Sequence, residues 1–94
     1  MLLLVEDDPE LSEEIIDCFG RAGLVCAAVP TAAAALQALK HEPEIVLVLL
    51  DLQLPDGNGL DLIERARAGL PATRPLHFIV MSGSAERADA IRAL

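Results

Sequence analysis

Trp and Tyr are absent from these 94 residues, and two Phe are the only aromatic side chains. Any core must therefore be assembled from Leu, Ile, Val and Ala. Basic side chains are scarce: seven Lys and Arg stand against fifteen Asp and Glu, for a formal net charge of −8. Direct nucleic-acid binding needs a basic patch, so that function is disfavoured. No apolar run reaches the roughly 20 residues that span a bilayer, and the run over residues 45–50 falls far short. A basic leader and a cleavage site are also missing, since Met1 leads straight into a strand-like run; a cytoplasmic location is expected. There is no CxxC motif, and Cys18 and Cys26 are expected to be reduced, structural thiols. His41 and His77 have no partner at metal-ligand spacing. There is no GxxxxGK[ST], and Gly57-Asn58-Gly59 alone is too weak to mark a nucleotide loop.

The chain that remains is 53% apolar and 23% charged, a globular composition with length for one domain. Its charge is uneven, because residues 1–20 carry Glu6, Asp7, Asp8, Glu10, Glu13, Glu14 and Asp17 and no basic side chain. The last four of these acids fit a solvated helix face. Apolar runs at residues 2–5, 24–29, 45–50 and 76–81 read as buried strands. Between them lie helical patterns. Asp8 and Pro9 read as N-cap and first position, with Leu11, Ile15, Phe19 and Ala22 as the buried stripe. Gly20 and Gly23 are expected to loosen that helix's end. Thr31 caps an Ala-rich helix, Leu60, Ile63 and Ala66 suit a third, and Ser84 can cap a fourth. Pro55, Gly57 and Gly59 make residues 52–59 a loop.

Strand and helix alternate four times, which implies a doubly wound parallel α/β sheet with helices on both faces. Ligands in such sheets bind outside the carboxyl ends of the strands. Glu6 and Asp7 follow the first strand, Asp51 the third and Ser82 the fourth, so polar groups distant in sequence share one rim. Carboxylates crowded there disfavour one another's ionised forms, and either a proton or a cation relieves the crowding. Oxygen donors without His or Cys suit Mg²⁺. A carboxylate is also a nucleophile toward phosphorus, giving an acyl phosphate.

Three segments resemble one family. Leu3-Leu4-Val5-Glu6-Asp7-Asp8-Pro9 looks like the opening of a response regulator receiver domain, the input module of two-component signalling. The run from Leu49 through Asp51, Gln53, Pro55 and Gly57 to Gly59 looks like its phosphorylation loop. Ile79-Val80-Met81-Ser82-Gly83 looks like its fourth strand and switch hydroxyl. The resemblance implies a flavodoxin-like strand order 2-1-3-4 and Asp51 as phosphoacceptor. It implies Mg²⁺ held by Asp7, Asp51 and the Gln53 carbonyl, with Glu6 acting through a metal-bound water. Ser82 would meet the phosphoryl group, and the Gln53 and Ser84 side chains would tune its lifetime. The implied partners are a sensor histidine kinase or histidine phosphotransfer protein upstream and an output domain or effector downstream, with homodimerisation open and no membrane or nucleic-acid partner. The implied catalysis is limited to phosphoryl transfer onto the domain's own Asp and its hydrolysis.

The family pattern continues with a fifth strand, a lysine after it and a fifth helix. Residues 1–94 are therefore expected to form an incomplete receiver whose fourth strand is an apolar sheet edge, and the one lysine, Lys40, lies in the wrong element. Two other readings compete. A pseudo-receiver would bind partners without phosphate, although its usual losses, the acidic pair or the acceptor, are not seen here. A small Mg²⁺ phosphatase of the haloacid-dehalogenase type needs a second Asp two residues after the nucleophile, where this chain has Gln53.

Overall fold

A computed structural model describes residues 1–81. The expected fourth helix, its cap Ser84 and the switch residue Ser82 lie outside the described residues. The elements are β1 (Leu2–Val5), α1 (Pro9–Arg21), β2 (Cys26–Val29), α2 (Ala32–His41), β3 (Leu47–Asp51), β4 (Gln53–Leu54), β5 (Gly57–Asn58), α3 (Gly59–Gly69) and β6 (His77–Met81). Four strands form one parallel sheet in the order β2-β1-β3-β6, the order expected from the sequence. Central β1 is buried at every residue, as a strand covered on both faces must be.

Alternation along the strands sends side chains to two cores. Leu2, Leu4 and Leu49 join Ile15 and Phe19 of α1 and Met81. Leu3, Val5, Val48 and Leu50 join Ala32, Ala35 and Leu39 of α2 and Leu62 and Ala66 of α3. Side chains such as Leu4 and Leu50 lose all exposure, each worth about 1.5–3 kcal/mol.

Helix starts follow their capping signals. Asp8 is extended and its side chain accepts from the Glu10 and Leu11 amides, with Pro9 at the first turn. The Thr31 hydroxyl accepts from Ala34 N at 3.1 Å. Glu10, Glu13, Glu14 and Asp17 form the exposed face of α1.

Several local expectations are corrected. Gly20 lies inside α1, and of these two glycines it is Gly23 that takes a left-handed conformation, with φ of 83°. Ser12 takes a buried place on α1, its hydroxyl donating to the Glu6 carbonyl at 3.5 Å, whereas Ala22 is exposed. Sheet pairing begins at Cys26 and Leu47, leaving Leu24, Val25 and Val46 exposed ahead of the ladder. In α3 the buried stripe is Gly59, Leu62 and Ala66, while Leu60 is exposed. The helix starts one residue earlier than Leu60, at a glycine pressed against the β3 backbone, and that contact sets the helix's rotation. The loop after β3 contains a small antiparallel hairpin, Gln53 opposite Asn58 and Leu54 opposite Gly57. Among the described residues β6 is one of the two sheet edges, opposite β2, with Ile79 48% and Val80 37% exposed, as expected of an apolar edge strand.

Candidate functional site

The site grows from the ends of the two central strands. Val5 pairs with Leu50 across the parallel ladder, so the next residues along, Glu6 and Asp51, stand on neighbouring strands at one rim. By the period of two, Glu6 continues the Leu2–Leu4 row and Asp51 the Leu47–Leu49 row, both facing α1. Both carboxylate residues are buried, Glu6 at 3% exposure and Asp51 at 8%. Burial of two acids side by side runs against the ordinary preference of such groups for water and marks the rim chemically.

Local amides hold each acid. Glu6 Oε2 accepts from Asp8 N at 3.0 Å, and Asp51 Oδ1 accepts from Gln53 N at 3.3 Å. Asp7, between the two caps of this turn, is exposed. Among the described residues no three His, Cys, Asp or Glu side chains are gathered as a metal cage. The expected three-carboxylate cluster thus reduces to an inward pair, Glu6 and Asp51, with Asp7 facing solvent. Like charges repel, and each inward carboxylate turns to a backbone donor in its own loop. Gln53 is exposed beside Asp51. The oxygen-only donor set still fits Mg²⁺, which takes one or two carboxylates and keeps several waters rather than needing a cage.

Backbone contacts lock Asp51 in place. Leu52 N donates to the Met81 carbonyl at 3.2 Å, and Gly59 N donates to the Leu52 carbonyl at 2.7 Å. A Cβ on Gly59 would sit 2.5 Å from the Asp51 carbonyl oxygen, so only glycine lets α3 start this close to the acceptor strand. Asp51 is also in register with Met81 on the neighbouring strand.

Two residues that sequence reasoning did not single out shape the molecule. The Asp56 carboxylate accepts from Ala32 N at 2.9 Å and Ala33 N at 3.0 Å, and these two amides hold its carboxyl below the ordinary carboxylate range. Arg74 donates to the carbonyls of Leu39, Glu42 and Ile45 at the far end of α2. Both contacts span more than twenty residues, so no local signal announces them. A cavity of about 220 Å³ lies beside Arg74, lined by Leu70, Leu76 and Phe78, with the Arg67 guanidinium 5.6 Å from the Phe78 ring centre. It contains no carboxylate, and the concentrated acids lie at the other rim.

Comparison with known proteins agrees with this geometry. Residues 2–94 match a sequence model described as the response regulator receiver domain. The response regulator protein PilR of Pseudomonas aeruginosa is 36% identical over 92 residues, 98% of this chain but 20% of PilR. The chain spans between 20% and 48% of the length of eight curated relatives of this kind. A CheY-like receiver domain from Methylobacillus flagellatus superposes with a TM-score of 0.80 at 28% identity, covering 94% of this chain and 77% of that one. The MaeR response regulator bound to beryllium trifluoride superposes with a TM-score of 0.74 at 27% identity, covering 99% and 76%.

Proposed function

The chain belongs to the response regulator receiver domain family, and on that premise we propose that Asp51 accepts a phosphoryl group from a phosphohistidine on a partner protein. The observation that carries the reading is a buried carboxylate at the end of central β3, beside buried Glu6 and oriented by the Gln53 amide. In the transfer a carboxylate oxygen of Asp51 bonds to phosphorus and the phosphorus–nitrogen bond breaks. The electron pair stays with the imidazole nitrogen, which takes up a proton, and Asp51 carries the acyl phosphate.

Asp7 and Asp51 through their carboxylates and Gln53 through its carbonyl are the groups that would hold Mg²⁺, with Glu6 acting through a bound water. Bound there, Mg²⁺ supplies positive charge to the oxygens of the transferring group. Fixed hydrogen bonds from Gln53 N to Asp51 and from Asp8 N to Glu6 keep the two inward acids apart and oriented. Ser82, next in sequence after Met81, is assigned the hydroxyl that meets the phosphoryl group. Residues 1–94 act as a cytoplasmic receiver unit, with a sensor kinase or phosphotransfer protein as donor and an output domain or effector as reader. A phosphorylated surface change, rather than turnover of an outside substrate, is the output.

The test is intact mass after incubation with acetyl phosphate and Mg²⁺. Gain of one phosphoryl group, lost without Mg²⁺ and lost in Asp51→Asn, is the expected result. No gain in the parent, together with no protection by beryllium trifluoride against thermal unfolding, would favour a pseudo-receiver and overturn the reading.

A further inference from the structure

The loop that leaves Asp51 has little to hold it by itself. Its hairpin pairs only two residues on each side, and a ribbon that short is marginal in water. Leu54 is buried, but the tip, Pro55 to Gly57, is exposed. Two side-chain ties supplement the pairing. Asn58 accepts from Leu60 N at 2.7 Å and fixes the loop's exit to α3. Asp56 reaches back 24 residues and grips the Ala32 and Ala33 amides with one carboxylate oxygen each. Those amides belong to the first turn of α2, whose donors have no partner inside the helix. Thr31, the N-cap itself, takes the Ala34 amide.

Helix α2 is a rigid reference point, because Ala35 and Leu39 are wholly buried against the sheet. Gripping it indexes the hairpin to the core. The residue so indexed is Gln53, whose amide bonds Asp51 and whose carbonyl is assigned to Mg²⁺ in the reading above. We propose that Asp56 is a positioning residue for phosphoryl acceptance at Asp51, fixing the hairpin through the α2 amides so that the Gln53 backbone keeps its place beside the acceptor. This rests on the phosphoacceptor reading and deepens it. Groups that orient ligands without touching the reacting atoms commonly matter at the level of about 10-fold to 100-fold.

The test compares two caps of the same helix. Asp56→Ala and Thr31→Ala both remove an acceptor from the α2 N-terminus, but only the first cuts the tie to the hairpin. Both are assayed for Asp51 phosphorylation by acetyl phosphate as Mg²⁺ is varied, below the unfolding transition of each. Asp56→Ala should raise the Mg²⁺ concentration for half-maximal phosphorylation about 10-fold. Asp56→Asn, which keeps one good acceptor oxygen, should recover part of the loss, and Thr31→Ala should match the parent. Amide exchange without Mg²⁺ gives a readout independent of phosphorylation: Gln53 and Gly59 should exchange faster in Asp56→Ala but not in Thr31→Ala. Equal Mg²⁺ dependence in Asp56→Ala and parent, or equal shifts in the two alanine variants, would overturn the proposal while leaving the acceptor reading intact. A parent that takes no phosphate, yet loosens at Gln53 when Asp56 is removed, would sink the acceptor reading, and with it the proposed role in transfer.

Discussion

The two rims of the sheet are built with opposite chemistry. At the carboxyl rim loops are fastened by acceptors on backbone amides: Glu6 on Asp8, Asp8 on Glu10, Thr31 on Ala34, Asp51 on Gln53, Asp56 on Ala32 and Ala33, and Asn58 on Leu60. At the amino rim they are fastened by cations on carbonyls: Arg74 on Leu39, Glu42 and Ile45, and the Met1 ammonium on the Glu44 carbonyl. The cause is the winding. Strands β1, β2 and β3 lead on to α1, α2 and α3, so helix N-termini with their surplus N–H groups gather where these strands end, and helix C-termini with surplus carbonyls gather at the other rim. Acids are therefore favoured at one rim for structural reasons, and the phosphorylation chemistry is proposed to use an acid from that same set.

The comparison can be broken from either side. The largest effect is expected at the amino rim, where Arg74→Ala strips three carbonyls of a charged donor; stability should fall by about 3 kcal/mol, read by chemical denaturation, with little change in Asp51 reactivity while folded. Next is Gly59→Ala at the carboxyl rim, which forces a methyl against the Asp51 carbonyl. It should cost about 2 kcal/mol and also slow phosphoryl uptake, because the acceptor strand itself must shift. Asp8→Ala removes the α1 cap and should cost about 1 kcal/mol.

The smallest effects are in pH. Asp56 titrates below its ordinary 3.8 when folded, so its contribution is complete above 3.8 and is lost as pH falls through the lower folded value; Asp56→Asn should flatten that acid limb. The Cys26 thiol, pushed up to about 11 by burial from 9.0, acts in the other direction. Its neutral form is favoured in the fold, so that contribution is present below 9.0 and fades as pH rises through about 11. Cys26→Ala should remove this alkaline slope.

Legibility in the sequence followed the range of the interaction. Buried strands and the caps Asp8 and Thr31 were readable because continuous apolar runs and cap residues act locally, whereas the strand order came from the resemblance to receiver domains. The α3 stripe was not, since Leu60 and Leu62 are equally apolar and only the close approach of Gly59 to β3 decides which turns inward. The β4–β5 hairpin hid in a stretch whose Pro and Gly announce a turn of any kind. Asp56 and Arg74 carry no local signal, because each acts across more than twenty residues. For the candidate site, Glu6 and Asp51 were legible as strand-end acids. That Glu6 and Asp51 turn inward while Asp7 stays in water required the register of β1 on β3.

The central claim is that one acid of this rim, Asp51, is the nucleophile while its neighbours hold and orient. It is tested most directly by phosphorylating the chain with acetyl phosphate and Mg²⁺, trapping the acyl phosphate by borohydride reduction and locating the reduced side chain by peptide mass mapping. Reduction at Asp51 alone is the predicted result. Label at Glu6, Asp7 or Asp56, or spread across the acidic rim, would contradict it.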